Sequence, residues 1–172
     1  HANEKYISAL VDRIINHRKK FSSSKKLLLS FHGIPQSYIA SDEPYQDQCF
    51  KTAELIVEKL QLKPESYDIV FQSRFGKAEW IKPYLAETLE KLGKSNEDDI
   101  QVFCPGFVSD CLETIEEINE ESRELFLESG GKKFDYIPCL NGDSKFIDAL
   151  ESIIDNRDHL AISYKRILEK IT

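Results

Sequence analysis

Apolar residues recur along this chain in two rhythms that take turns. Ile7, Leu10, Val11, Ile14 and Ile15 fall at intervals of three and four, which predicts an amphipathic helix over residues 4–19. After a polar joint at residues 21–25, Leu27-Leu28-Leu29-Ser30-Phe31 runs on without polar alternation, the pattern of a strand covered on both faces. His32-Gly33-Ile34-Pro35 breaks that strand. Cys49, Ala53, Ile56, Val57 and Leu60 mark one face of a helix over 45–61. Tyr67 to Gln72 reads as a second strand, ended by Ser73-Arg74-Phe75-Gly76. A helix over 79–92 follows, with Pro83 in its first turn, where a missing N–H costs little. Residues 100–104 form a third strand stopped by Pro105-Gly106, and a long helix over 109–127 ends at Gly130-Gly131. A fourth strand at 134–137 meets Pro138, and helices at 143–154 and 157–170 close the chain.

Strands alternating with helices predict an α/β fold, a doubly wound parallel four-stranded sheet flanked by helices. Residues 1–172 read as one such domain, without internal repeats or low-complexity segments. In sheets of this kind ligands bind beyond the carboxyl ends of the strands. That rule selects three loops: His32-Gly33-Ile34-Pro35, Ser73-Arg74-Phe75-Gly76 and Pro105-Gly106-Phe107-Val108-Ser109.

Composition narrows the field. With 172 residues, 41% of them hydrophobic and 31% charged, the chain suits an ordinary globular domain with a sizeable core. No apolar run approaches the ~20 residues that cross a bilayer. A net charge of −7 argues against a nucleic-acid partner, since basic clusters such as Arg18-Lys19-Lys20 and Lys25-Lys26 are short. Cys49, Cys104, Cys111 and Cys139 lack C-x-x-C spacing, so no zinc site is signalled and reduced thiols in a cytoplasmic protein are expected. The chain holds no methionine and begins at His1, which suggests a piece excised from a longer protein.

Two residues at the selected edge can carry chemistry. His32 directly follows the first strand, and a neutral imidazole there can bind a metal, act as a base near neutral pH, or simply cap the strand end. Glu113 has two readings. Asp110-Cys111-Leu112-Glu113 has capping-box spacing, which would turn the glutamate back onto the backbone. Otherwise Glu113 faces the same crevice as His32, its charge favoured by the helix dipole. A histidine and a carboxylate without thiolates suit divalent iron and similar metals without selecting one. Glu117, Glu121 and Glu124 extend a stripe from Glu113, either a solvated face or a path for protons and hydrated cations. Trp80 and Phe75 read as core or as flat apolar surface for a large conjugated ligand. His1, His17 and His159 are expected at exposed or terminal positions without a catalytic part.

Three blocks then resemble the ferrochelatase family in composition, order and spacing. They are Leu27-Leu28-Leu29-Ser30-Phe31-His32-Gly33-Ile34-Pro35, the stretch from Phe71 to Trp80, and the stretch from Cys104 to Ile118. The segment from Gly131 to Asn141 is similar to the next family segment, and the resemblance runs from about Tyr6 to Leu150, nearest to bacterial, Gram-negative-type members. It implies a class II chelatase-like half that inserts Fe(II) into protoporphyrin IX, with His32 and Glu113 as the catalytic and metal-handling pair. It further implies Glu117 and Glu121 along a proton and metal path, and Ser73, Trp80 and Phe107 near the porphyrin.

The sequence departs from the family in three respects. Cys111 stands where many members carry a second histidine, the family's amino-terminal half is missing, and the cysteines do not match the cluster motif of some members, so no iron–sulfur centre is expected. The fragment alone is expected to be inactive, its partners being protoporphyrin IX, ferrous iron and the missing half; peripheral membrane association of the full-length enzyme stays open. The alternatives are a related class II chelatase inserting cobalt or iron into a reduced tetrapyrrole, and a non-catalytic porphyrin- or metal-binding module.

Overall fold

A computed structural model describes residues 1–21, 26–39, 43–95 and 97–155. Four strands lie side by side in the order β2-β1-β3-β4: β1 (Lys26–His32), β2 (Tyr67–Gln72), β3 (Asp99–Phe103) and β4 (Lys133–Ile137). All three pairings are parallel, so every strand delivers its carboxyl end to one edge. The strand boundaries fall within one residue of those read from the sequence.

Alternation along each strand divides the core. Leu27, Leu29 and Phe31 face Ile7, Leu10 and Ile14 of α1 (Glu4–Phe21) and Ala53 and Ile56 of α3 (Tyr45–Leu60). Leu28 faces the other way, with Val70, Val102 and Phe134, toward Leu85 and Leu89 of α4 (Leu85–Lys94) and Ile118 and Phe126 of the helix after β3. Both faces of β1 are therefore sealed, which is why its sequence shows no polar alternation. From β1 the chain winds to β2 on one side, then crosses to β3 on the other. The order reverses between β1 and β3, and that reversal opens a crevice at their carboxyl ends.

Three expectations need correction. The helix expected over 79–92 begins only at Leu85. Residues 79–84 stay out of the helix because their hydrogen bonds go elsewhere: Gln36 N–H donates to the Glu79 carbonyl at 2.8 Å, Ile81 N–H to Ile34 at 3.0 Å, and Phe71 N–H to Pro83 at 2.9 Å. Pro83, reached through a cis peptide bond, thus precedes the helix instead of sitting in its first turn.

The helix expected over 109–127 starts later and winds differently. Glu113–Ser122 is a π-helix, which passes into an ordinary turn and a half at α5 (Arg123–Glu128). The Asp110 capping box does not form. The Asp110 carboxylate instead accepts Tyr136 O–H at 2.6 Å, Cys139 N–H at 3.1 Å and Asn141 Nδ2–H at 2.7 Å, pulling residue 110 toward β4. Thr114 Oγ1 takes over, accepting Cys111 N–H at 2.9 Å.

His17 is not exposed. Its Nε2 lies 3.1 and 3.0 Å from the two Asp135 oxygens, so it ties α1 to β4. Short turns at α2 (Gln36–Ile39) and Pro64–Ser66 were not anticipated. A helix over 144–155, α6, follows β4. Residues 22–25 of the polar joint, His159 and the helix expected at 157–170 lie outside the described residues. Among the described residues no helix is long and apolar enough to cross a membrane.

Leu28 is fully buried in the central strand. Its truncation, Leu28→Ala, should lower unfolding free energy by about 2–5 kcal/mol in urea titration; a loss below ~1 kcal/mol would mean that this face of the sheet is not packed as described.

Candidate functional site

His32 is the last residue of β1, half-buried at the mouth of the crevice. Its Nδ1 lies 2.6 Å from the Gly33 carbonyl oxygen, an acceptor only, so this nitrogen carries a proton and donates. In the neutral ring Nε2 then keeps its lone pair, and it bonds no described residue. The Tyr45 hydroxyl of α3 donates to the His32 carbonyl at 2.8 Å and fixes the backbone. The ring is thereby oriented and its basic nitrogen is left open, the arrangement a metal ligand or general base requires.

Aromatic rings stand on two sides. The Trp80 and Phe107 rings each lie 6.3 Å, centre to centre, from the imidazole. Trp80 arrives because residues 79–81 pair with the loop after β1, including an antiparallel bridge to Pro35. Position 33 is tight: a Cβ there would stand 3.0 Å from the Gln72 carbonyl and 3.1 Å from Trp80 Cε3, so a larger residue would press on both. Phe75 does not enter the core. It is 81% exposed, and only its carbonyl takes part, accepting Trp80 Nε1–H at 3.0 Å.

Glu113 opens the π-helix and is half-buried, free of the capping role. Its carboxyl is held below the usual glutamate range, foremost by a hydrogen bond from the Cys111 thiol, then by its own backbone N–H, with a smaller pull from His32. Asp110 is lowered as well: burial opposes its charge, but donors from Asn141, Tyr136 and Cys139 outweigh the opposition.

One turn further, Glu117 is clamped. Ser73 N–H donates to its Oε1 at 2.6 Å and the Ser73 hydroxyl to its Oε2 at 2.5 Å. Ser73 holds a left-handed backbone with φ of 64°, which points both donors at the carboxylate. Glu121 is exposed beyond it. A cavity of about 250 Å³ opens there between Ser73, Tyr84, Glu87, Glu117 and Glu121, and neither His32 nor Glu113 lines it. The Gln72 side chain, 3% exposed, also reaches Glu117. Neither Gln72 nor Ser30 is expected from the sequence; the signal available is a polar residue ending apolar β2, at Gln72, and one interrupting the apolar run of β1, at Ser30.

Fold and site define a doubly wound α/β protein whose switch point sets a metal-capable imidazole beside two aromatic rings. The family model of ferrochelatase matches residues 1–158. Proteins named ferrochelatase are similar over most of the chain: 49% identity over 151 residues in Marinobacter nauticus, covering 88% of this chain and 41% of that protein. In Chromobacterium violaceum identity is 49% over 156 residues, 91% of this chain and 43% of that protein. In Teredinibacter turnerae it is 45% over 173 residues, 99% of this chain and 47% of that protein. The chain belongs to the ferrochelatase family. It spans under half the length of these curated relatives.

The Cys111 thiol is the leading cause of the lowered Glu113 carboxyl, and removing a donor to a charged group favours its neutral form. Cys111→Ala should therefore move the Glu113 titration, followed by carboxyl-carbon NMR, upward toward the ordinary glutamate range; an unmoved titration would contradict the assigned cause.

Proposed function

We propose that the full-length protein inserts ferrous iron into protoporphyrin IX to form protohaem, the last step of haem biosynthesis, and that residues 1–172 act as the carboxyl-terminal domain of a two-domain enzyme. The observation that carries this reading is the open Nε2 of His32 beside the Trp80 and Phe107 rings; the reading adds an ionised Glu113 as its partner in the crevice. Family membership supports the reaction type.

The chemistry balances on these groups. As Fe(II) enters the macrocycle, two pyrrole N–H protons leave. His32 Nε2 can accept one of them or hold the incoming ion, because the lone pair serves either purpose. Glu113, kept ionised, is the second metal contact and a stop for released protons. With two protein ligands, the other coordination positions of the iron belong to water and then to the macrocycle nitrogens. Glu117 and Glu121 continue from the site to the cavity beyond Ser73 and suit passage of protons or hydrated cations. Ser73, Trp80 and Phe107 are assigned to the porphyrin side.

Several large apolar side chains around the crevice are exposed: Phe75 81%, Leu112 66% and Val108 43%. Such a rim favours cover by the macrocycle and by the part of the relatives that this chain does not span. Residues 1–172 alone are accordingly proposed to lack turnover.

The test uses the full-length protein with protoporphyrin IX and ferrous iron under anaerobic conditions, following haem absorbance. His32→Ala and Glu113→Gln should each lower kcat/KM by about 10²–10⁴-fold while porphyrin binding persists. An unchanged rate for His32→Ala, or insertion into a reduced tetrapyrrole but not protoporphyrin, would overturn the reading.

A further inference from the structure

Gln72 touches both sides of the crevice. On the β1 side it is the register partner of His32, and its main-chain carbonyl accepts Gly33 N–H at 2.8 Å. On the other side its side-chain Nε2 lies 3.4 Å from the Glu113 carbonyl oxygen and 3.4 Å from Glu117 Oε2. Both neighbours are pure acceptors, so the amide cannot be turned over: nitrogen must face the acidic helix and oxygen the sheet. There Oε1 accepts the Ser30 hydroxyl at 2.8 Å and the Cys104 thiol at 3.4 Å.

Burial makes this network demanding. Ser30, within β1, is 0% exposed and Gln72, the last residue of β2, 3%, among core residues that are otherwise apolar. A buried amide or hydroxyl is costly unless every partner is in place, and an apolar residue would fill the strand end with no such demand. The network is complete, and a completed polar network selects one arrangement of its members. Glu117 is held by Ser73 at 2.6 and 2.5 Å, and the Gln72 amide adds a longer third contact at 3.4 Å that ties it to the sheet.

We propose that Ser30 and Gln72 are positioning residues for metal and proton transfer, acting through Glu117: the Ser30 hydroxyl sets the Gln72 amide, and the amide holds the Glu117 carboxylate in register with His32. The proposal rests on the iron-insertion reading above. It assigns no contact with substrate to either residue.

A double-mutant cycle in the full-length protein tests it, because residues acting through one another are non-additive. Gln72→Leu should lower kcat/KM for ferrous iron by about 10–10²-fold, the cost of a displaced group. Protoporphyrin affinity, titrated by absorbance without iron, should stay within about twofold. In a Glu117→Gln background the same substitution should cost less than about threefold. Ser30→Ala, which removes one hydroxyl and leaves the packing, should act in the same direction more weakly and carries the same cycle if Gln72→Leu does not fold. Equal losses in both backgrounds would reduce the pair to a structural role, and no loss in either would overturn the proposal outright. If the parent protein binds porphyrin but inserts no iron, the enzyme reading fails separately. Positioning is then judged by the Glu117 carboxyl-carbon resonance, which Ser30→Ala should shift and which, if unmoved, refutes the relay.

Discussion

The last rung of the β1–β2 ladder governs how this site is built. His32 and Gln72 face each other there, and Gly33 N–H closes the ladder on the Gln72 carbonyl. Because the sheet is parallel, this rung lies at the edge where the loops after β1, β2 and β3 converge. Residues paired across a parallel ladder project from the same face of the sheet, and on that face the Gln72 amide meets the Ser30 hydroxyl and Glu117. A shift of one residue in register would send the amide to the opposite face and release the acidic helix.

The carboxylates of this edge divide their work according to their donors. Asp110, saturated by Tyr136, Cys139 and Asn141, anchors the loop after β3 to β4 and draws the helix start past residue 110. Glu117 is held by Ser73 and Gln72. Glu113 is held in its charged form, with the Cys111 thiol the leading cause. Three acids within one helix start and its loop have three environments, and only environment separates an anchor from a group that can meet a cation.

Much of this was legible in the sequence, for identifiable reasons. The strands were legible because unbroken apolar runs such as Leu27–Leu29 require cover on both faces, and Pro or Gly marked their ends. His32 and Glu113 were legible as candidates because the strand-end rule selects loops before any coordinate is known. The π winding over Glu113–Ser122 was not, since apolar spacing barely distinguishes it from an α-helix. The late start of α4 was hidden because residues 79–84 bond to the loop after β1, distant in sequence. The Asp110 spacing misled for the same reason: Tyr136 and Asn141 outcompeted a local capping bond. His17 looked exposed by helical phase, yet Asp135 of β4 claims it.

Everything chemical here turns on which imidazole nitrogen of His32 is bare. Nitrogen-15 NMR of the neutral ring in the full-length protein reads this directly. The Gly33 bond requires a protonated Nδ1 and an unprotonated Nε2 whose resonance moves when a divalent cation is added. A neutral ring protonated on Nε2, or an Nε2 resonance indifferent to the cation, would contradict the site described here.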